Sequence, residues 1–409
     1  MLDINLIRQN PEKVKKGIES KNVSPKLVDD FLALDEEWRK LVKEIDDLRA
    51  EQKKFSDERK ITEATKLKDK IQLLETDLKN IDKNREEILY QLPNLPIDDV
   101  PFGKDESENV VLREVGEKTK FNFLPKDYFE IAEKLDLIDV ERAAKVSGSR
   151  FGYLKNEAVL LEFALENLAS EILIKEGFAL VDPPVLIKPE MMKGMGYVER
   201  GGEEIYYLKD DNLCLVGTSE QSMGVMHADE IFEQKNLPKR YLGFSYCFRR
   251  EAGSYGKDTK GIFRVHQFYK VEMISFCHPE KSKEEHEFFL SLEEKLMKLI
   301  NIPYQVLQIC TADLGDPAAA KYDIEAWLPS EERYRETHST SNCTDFQARR
   351  LNIRYRDESG KLNFVHMVNG TAFATGRTII AILENYQQKD GSILVPKVLQ
   401  KYLNFKKIG

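Results

Sequence analysis

The sequence predicts an α+β protein. Two long antiparallel helices form an N-terminal coiled-coil arm, and an antiparallel sheet flanked by helices follows. Three observations carry this. Apolar residues recur at heptad spacing in two blocks between Leu27 and Ile88. The stretch PNLPIDDVPFG at 93–103 is proline-rich and reads as a linker. From Tyr241 to Phe276, apolar and polar residues alternate on either side of a charged, glycine-containing segment, which is the strand signal. Long parallel crossovers are scarce, which argues against a doubly wound fold. The expected division is 1–103 for the helical arm and linker, and 104–409 for the sheet domain.

Composition bounds the function classes. At 409 residues, two domains are expected, and 41% apolar with 33% charged content leaves material for a sizeable core. No run of eighteen apolar residues occurs, so no membrane span is expected. Asp3 and Arg8 fall where a signal peptide needs apolar residues. Five cysteines, Cys214, Cys247, Cys277, Cys310 and Cys343, are dispersed and form no CxxC pair. They fit a reducing cytoplasm, and no zinc is expected. A net charge of −9 gives no global attraction to nucleic acid, so any RNA contact must come from local basic patches.

In chain order, residues 1–24 read as a short helical lead-in. The first seam runs Leu27, Phe31, Leu34, Trp38, Leu41, Ile45, Leu48 and Phe55, with Gln52 in register. After a polar break at 56–62 the second runs Ala64, Leu67, Ile71, Leu74, Leu78, Ile81, Arg85 and Ile88, and Pro93 and Pro96 end it. Each helix buries its stripe on the other. Residues 52–70 carry seven basic against four acidic side chains, so the tip of the arm is basic. Beyond the linker, Asp127–Leu135 and Glu157–Glu176 read as helices, the second with Leu160, Leu161, Phe163, Ala164, Leu168 and Ile172 near one face. In FALVDPPVLI, Pro183 and Pro184 place a strand at an edge or interface, because proline cannot donate to a ladder. Helix and strand together suit a dimer element. Leu213–Val216, Tyr304–Ile309, Tyr322–Leu328 and Lys361–Asn369 read as strands, and Gly376–Tyr386 as a helix.

The 241–276 segment predicts a long hairpin, with Gly253, Gly256 and Gly261 supplying turn residues. Strand side chains alternate. Ser245, Cys247, Arg249 and Glu251 therefore share one face of the outgoing strand, and Arg264, His266, Phe268, Lys270 and Glu272 one face of the returning strand. Arg264, Phe268 and Glu272 are about 13 Å apart in turn. A guanidinium, a ring and a carboxylate in that row suit a phosphate, a flat base and an amine. No GxxxxGK[ST], no GxGxxG after a strand and no HExxH is present. Cys343 has no placed histidine and reads as structural. What remains is a set suited to a nucleotide. Arg249, Arg264 and Arg377 have the forked geometry that matches phosphate oxygens, and Glu336 could hold Mg²⁺ bridging phosphates.

FRRE, RVHQF and NGTAFATGRT, in this order, resemble motifs two and three of the class II aminoacyl-tRNA synthetases. MLDINLIRQNPEKV, VERAAKVSGSRF, CTADLG, SNCTDFQARR and AILENYQQKDGS extend the resemblance over nearly the whole chain, arm included, to the seryl-tRNA synthetase family. The resemblance implies an ATP-dependent ligase. Serine carboxylate attacks the α-phosphate in line to give seryl-adenylate and pyrophosphate, and a ribose 3′-OH of tRNA(Ser) then takes the seryl group. It assigns catalytic roles to Arg249, Arg264, Arg377 and Glu336. ATP would be bound by Arg249, Arg250, Glu251, Val265, Phe268, Glu336, Thr337, His338, Ser339 and Arg377. L-Serine would be bound by Thr218, Ser219, Glu220, Arg249, Glu272, Asn369 and Thr371. Glu336 and Ser339 would hold Mg²⁺ through ATP. The resemblance also implies a homodimer, a cytoplasmic location, an arm that lies on tRNA, and a hairpin loop with Lys257 and Lys260 near the acceptor end.

Departures from the family pattern fall at Ser219 (usually Ala), Thr371 (usually Ser), His338 (usually Ser), Thr340 (usually Cys) and Ala312 (usually Gly). Thr371 keeps the hydroxyl, whereas His338 brings a larger, titratable ring. The alternatives are a related ligase for another small amino acid or a carrier, and an inactive RNA-binding paralogue.

Overall fold

The computed structural model describes residues 1–252, 258 and 260–409. These divide into two compact units, Met1–Leu95 and Pro96–Gly409.

The first unit is helical. Short helices α1 (Ile4–Gln9) and α2 (Pro11–Glu19) lead into α3 (Lys26–Asp57) and α4 (Ile61–Gln91). α3 and α4 run antiparallel, because Gln52 donates to the Ala64 carbonyl at 3.2 Å, Lys70 meets Glu44 at 2.9 Å and Arg49 meets Glu75 at 2.7 Å. The turn between them passes through Arg59 at φ +58°. The seam buries Phe31, Ile45, Ile71 and Leu89. Arg85 occupies a seam position for a reason the heptads do not show. Its guanidinium lies 4.2 Å over Trp38 and donates at 2.8 Å to the fully buried Asp35, which also accepts from Arg8 and Arg39. Burial pushes the Asp35 carboxyl up, but Arg8 and Arg85 outweigh it and hold it below the usual range.

The second unit is built on an eight-stranded sheet. Its strands are β1 (Val110–Val115), β2 (Phe178–Val181), β3 (Lys239–Phe248), β4 (Gln267–Cys277), β5 (Tyr304–Gln308), β6 (Ala320–Leu328), β7 (Arg333–Asn342) and β8 (His366–Ala374). They lie in the order β1-β5-β6-β7-β8-β4-β3-β2. Pairing is antiparallel except at one end, where the edge strand β2 runs parallel to β3. Helices α5 (Tyr128–Lys134), α6 (Glu157–Lys175), α8 (Ser282–Ile300) and α10 (Thr375–Asn385) contribute Ile131, Leu165, Leu168, Phe289, Leu296 and Ile379 to a core shared with Val271, Met273, Ile324, Val368 and Phe373 of the sheet. α7 (Ser219–Val225) and α9 (Phe346–Leu351) pack with a second cluster around Met223, Ile274 and Leu351.

Several expectations change. The outgoing hairpin strand stops at Phe248, before Arg249 and Glu251, and the returning one starts at Gln267, after Arg264. The run expected as one strand from Lys361 to Asn369 is two, Leu362–Phe364 in a small separate sheet and β8. α6 buries Leu161, Ala164, Leu165, Leu168 and Leu173, a stripe rotated away from Leu160 and Phe163, which are 41% and 51% exposed. β7 and α8 are not foreseen. RYRETHSTSN offers no apolar face, and α8 interrupts its apolar stripe with fully buried Glu293. Gly253, Gly256 and Lys257 lie outside the described residues.

Candidate nucleotide and amino-acid site

A cavity of about 620 Å³ opens on the face of β4, β8, β7 and β6, a size that holds a nucleotide and a small co-substrate. Strand parity decides which side chains reach it. β4 contributes Phe268, Lys270 and Glu272, at every second position. β8 contributes Asn369 and Thr371, and β7 contributes Thr337, Ser339 and Ser341. Two irregularities adjust this count. On β6/β7, Ile324 pairs with His338 and Glu325 with Glu336, so Thr337 has no cross-strand partner. This bulge turns two consecutive residues, Glu336 and Thr337, onto the cavity face. On β4/β8, Val271 pairs with Phe373 and Glu272 with Thr371, so Ala372 is skipped. Ala372 and Phe373 then both face the core, and Ala374 returns to the cavity. Gly370, between Asn369 and Thr371, points to α8, where a Cβ would come within 2.9 Å of the Glu293 carboxyl. Its bareness lets α8 pass directly under this part of the floor.

Non-strand segments supply the remaining walls. Arg249, just past β3, is pinned by a hydrogen bond from Nε to the Gly217 carbonyl at 3.1 Å, with its guanidinium 5.2 Å from the Phe268 ring centroid. The Arg249 amide donates to the His266 carbonyl at 3.0 Å and the His266 ring Nδ1 meets the Arg249 carbonyl at 3.0 Å, which ties the two hairpin arms together beyond the strand ends. Arg264 is held at 2.9 Å by Glu251, whose backbone sits in the left-handed region at φ +51°. Arg377, in the first turn of α10, donates to the Glu336 carbonyl at 3.1 Å and meets its carboxylate at 3.2 Å. Phe263 receives Arg377 on its ring at 4.7 Å. Val265 also lines the cavity.

The electrostatics split the cavity into two ends. At one, Arg249, Arg264 and Arg377 gather around Phe268 and Glu336. The Glu336 side chain is deep in the cleft but 45% exposed to it. Burial raises its carboxyl, yet Arg377, Lys321 and Arg249 overcome this and hold it down at about 2, so it is ionised. At the other end two carboxylates are buried, Glu220 and Glu272, both pushed up by desolvation, Glu220 also by the neighbouring Glu272 charge, while Lys270 and Arg249 pull Glu272 back. Glu272 has Lys270 at 2.7 Å. Glu220 accepts from the Tyr197 hydroxyl at 3.0 Å and from Gln347 at 3.1 Å. Thr218 caps α7, its hydroxyl accepting from the Glu220 amide at 3.3 Å, which fixes the start of that helix at the cavity wall. The Asn369 amide reaches the Cys343 sulfur at 3.6 Å. One end of the cavity is cationic and carries an aromatic ring, and the other is lined by buried carboxylates.

Three residues foreseen as contacts do not line the cavity. Arg250 points away, its guanidinium 5.9 Å from the Tyr206 ring, because it follows Arg249 and takes the opposite direction. Ser219 is fully buried beneath the strands, its hydroxyl 3.1 Å from where a Gly243 Cβ would lie. His338 faces the helices, as its parity with Thr340 requires. Its Nε2 meets the Ala372 carbonyl at 3.1 Å and its Nδ1 the Thr337 hydroxyl at 2.8 Å, and burial holds it neutral by lowering its pKa to about 4. With Nε2–H donated to a carbonyl, Nδ1 and the Ile324 carbonyl, 3.2 Å away, compete for the one Thr337 hydroxyl proton, so His338 and the neighbouring strand backbone together hold that hydroxyl from below.

Sequence reasoning did not assign Lys270, Tyr197, Gln347, Lys321 or Glu204. Lys270 was legible, lying between Phe268 and Glu272 on one face. Tyr197 arrives from a segment with no motif; Gln347 lies within SNCTDFQARR, a stretch that carries the family resemblance, but no role was assigned to it. Glu204 clasps the hairpin, accepting from the amides of Ala252 through its carboxylate at 2.8 Å and of Arg250 through its carbonyl at 2.9 Å. Among the described residues no group of three or more His, Cys, Asp or Glu is poised as a metal centre, and no helix is long and apolar enough to cross a membrane.

Residues 1–96 match the family model described as the seryl-tRNA synthetase N-terminal domain, and residues 206–386 that of the tRNA synthetase class II core domain (G, H, P, S and T). The serine–tRNA ligase of Dictyoglomus turgidum is 49% identical over 100% of this chain and 99% of its own, and that of Thermobifida fusca 45% identical over 98% and 97%. Among solved structures, a seryl-tRNA synthetase from Pyrococcus horikoshii complexed with ATP superposes with a TM-score of 0.96 at 44% identity, covering 100% of this chain and 99% of that one. A cytoplasmic serine–tRNA ligase from Naegleria fowleri in complex with AMP does so at 0.92 and 34%, covering 100% and 98%.

Proposed function

The chain belongs to the seryl-tRNA synthetases, and on that premise we propose which of its residues activate L-serine with ATP and pass it to tRNA(Ser). The single observation that carries the assignment is the polarity of the cavity, with three arginines at one end and two buried carboxylates at the other. ATP lies with adenine against Phe268 and beside Val265. Arg264 and Arg377 take the distal phosphates, released by Glu251 and Glu336 as the stronger anion arrives. Arg249 lies between the two ends, stacked on Phe268 and facing Glu272's side, and grips both the α-phosphate and the serine carboxylate. It neutralises the charge that builds as the carboxylate oxygen attacks phosphorus and the bond to pyrophosphate breaks. No protein base is needed, since the attacking carboxylate is already ionised.

The serine ammonium sits between Glu220 and Glu272, which Tyr197, Gln347 and Lys270 hold in place, with Thr218, Asn369 and Thr371 completing the pocket. Glu272 also accepts from the serine hydroxyl. Buried groups made to pair a hydroxyl are left unsatisfied by alanine, and the extra methyl of threonine overfills the site. Thr337 and Ser339 present hydroxyls beside the α-phosphate, and His338 acts only through Thr337.

Magnesium fits the residues present. Glu336 is ionised and reaches the cavity, and Ser339 shares its face. Glu336 and Ser339 would hold it, and it would supply neutralisation of phosphate charge there.

Residues 1–103 form the tRNA-binding arm and its linker, and 104–409 the catalytic domain. The basic side chains near Arg59 and Lys60, together with the hairpin loop that includes Lys260, meet tRNA through its backbone and shape. The protein works in the cytoplasm as a homodimer. Support for the dimer is the apolar surface left on α6 and β2, where Leu160, Phe163, Ile174 and Leu180 are 41%, 51%, 52% and 47% exposed.

The test is amino-acid-dependent ATP–pyrophosphate exchange. Serine supports it, and glycine, alanine and threonine do not. Exchange with one of those three but not with serine overturns the substrate assignment.

A further inference from the structure

Beside Ser339 the sheet carries a side chain that none of the preceding roles uses. Asp323 of β6 pairs across the ladder with Ser339 of β7, so the two side chains stand on the same face. Lys321, two residues earlier, pairs with Ser341 and reaches the cavity wall. Asp323 is 8% exposed. Its Oδ2 accepts from the Lys321 ammonium at 2.9 Å, while its Oδ1 is buried with no hydrogen-bond partner. A buried carboxylate oxygen left unpaired is costly and points to a missing partner.

The surrounding charge says what kind of partner. Lys321 is the nearest cation to Asp323, and it also feels Glu336 and Asp313. Asp313 and Glu336 both line the cavity. Three carboxylates therefore surround one ammonium at a corner that must also receive a triphosphate. Arg377 and, at longer range, Arg249 compensate Glu336 but are themselves the guanidiniums assigned to the triphosphate. Anionic side chains facing an anionic ligand need a cation between them, and oxygen donors only, with no nitrogen or sulfur, suit a hard divalent ion. Magnesium keeps several of its waters, so a carboxylate one layer behind the surface can hold it through a bound water.

We propose that Asp323 is a further magnesium-site residue, accepting at Oδ1 a hydrogen bond from a water of the ion that Glu336 and Ser339 contact, with Lys321 as the positioning residue that fixes its other oxygen. This rests on the assignment of Glu336 and Ser339 to the metal. Asp323 adds no ligand of its own. It orients a bound water, and through it the ion, against the α-phosphate.

The test measures binding rather than turnover. The affinity of an α,β-methylene analogue of ATP is titrated calorimetrically against free Mg²⁺, and Mn²⁺ bound in the ternary complex is followed by electron paramagnetic resonance. In D323N the Mg²⁺ concentration for half-maximal analogue binding rises about tenfold, the Mn²⁺ signal changes, and analogue affinity without metal stays as in the parent. Half-saturation within twofold of the parent overturns the proposal and leaves an ordinary buried water as the partner of Oδ1. A D323N protein with a weakened fold still answers, because misfolding lowers affinity with and without metal alike, whereas loss of a metal contact changes their ratio. E336Q separates the two levels. If E336Q shifts the Mg²⁺ dependence and D323N does not, only Asp323 is misassigned. If neither shifts it, the reading of Glu336 as a metal contact fails first.

Discussion

The arm and the sheet domain bury polar groups in opposite ways. In the arm the deeply buried ion cluster is closed. Asp35 is fully surrounded, and Arg8, Arg39 and Arg85 satisfy it. In the sheet domain some buried carboxylates carry incomplete shells. Glu220 is met by Tyr197 and Gln347, but Asp323 beside the cavity and Glu293 beneath its floor keep orphan oxygens. A satisfied buried charge fixes register and shape, whereas an unsatisfied one next to a cavity is open to a ligand. Neither burial nor the count of partners alone separates architecture from chemistry; position against the cavity is needed as well.

The sharpest way to break this contrast is to remove the arm's length and keep its closed cluster. Replacing residues 40–80 by a short turn retains Arg8, Asp35 and Arg85. Serine-dependent exchange should stay within about twofold of the parent, since the cavity is lined entirely by residues of the second compact unit, while tRNA(Ser) charging falls to background. Equal loss of both, measured on the same preparation, would show that the arm supports the chemistry directly. Next in size is R249A, which should lower the exchange rate by about 10²–10³-fold, as for loss of a transition-state donor, with little change in melting temperature. Asp35→Ala should do the reverse. It leaves three arginines without their acceptor, costs about 3 kcal/mol in urea unfolding, and moves exchange little.

Glu272→Gln sharpens the contrast further. It removes a charged acceptor from the serine pocket and should raise KM for serine by about 10–100-fold, with a smaller effect on KM for ATP. The smallest effect concerns pH. Burial holds Glu220 and Glu272 above the usual carboxylate range, so the native protein binds their protons more tightly than the unfolded chain does. The stability this gives is complete below the unfolded pKa and is lost as pH rises through the raised values. The serine ammonium restores it, so serine should raise the melting temperature by a few degrees more at pH 8 than at pH 5. An equal shift at both would mean that the pair is not the ammonium site.

Much of this was readable beforehand, for physical reasons. The arm was legible because its helices bury little beyond each other, so the heptads write its packing directly. The hairpin face was legible because β4 keeps strict alternation through Phe268, Lys270 and Glu272. What escaped notice lies where alternation fails or polar residues are buried. His338 and Ser219 were placed in the site by likeness to a motif, but parity sends His338 to the helix side, and the first turn of α7 tucks Ser219 under Gly243. β7 was missed because both its faces are polar, one meeting the cavity and the other bonding to α8 and β8. Tyr197 carries no local mark, and the motif around Gln347 does not say what its amide meets, since both roles arise only when distant segments converge on Glu220.

The bulge at Thr337 has a genetic consequence. A regular pleat would show the cavity Thr337 or Glu336, never both. Deleting the single codon for Thr337 leaves a regular ladder in which Ile324 still meets His338 and Glu325 still meets Glu336, so Glu336 keeps the cavity face two positions from Ser339 and only the Thr337 hydroxyl is lost. Such an allele should yield abundant, folded protein with weakened rather than abolished exchange, whereas deleting Glu336 instead should abolish it.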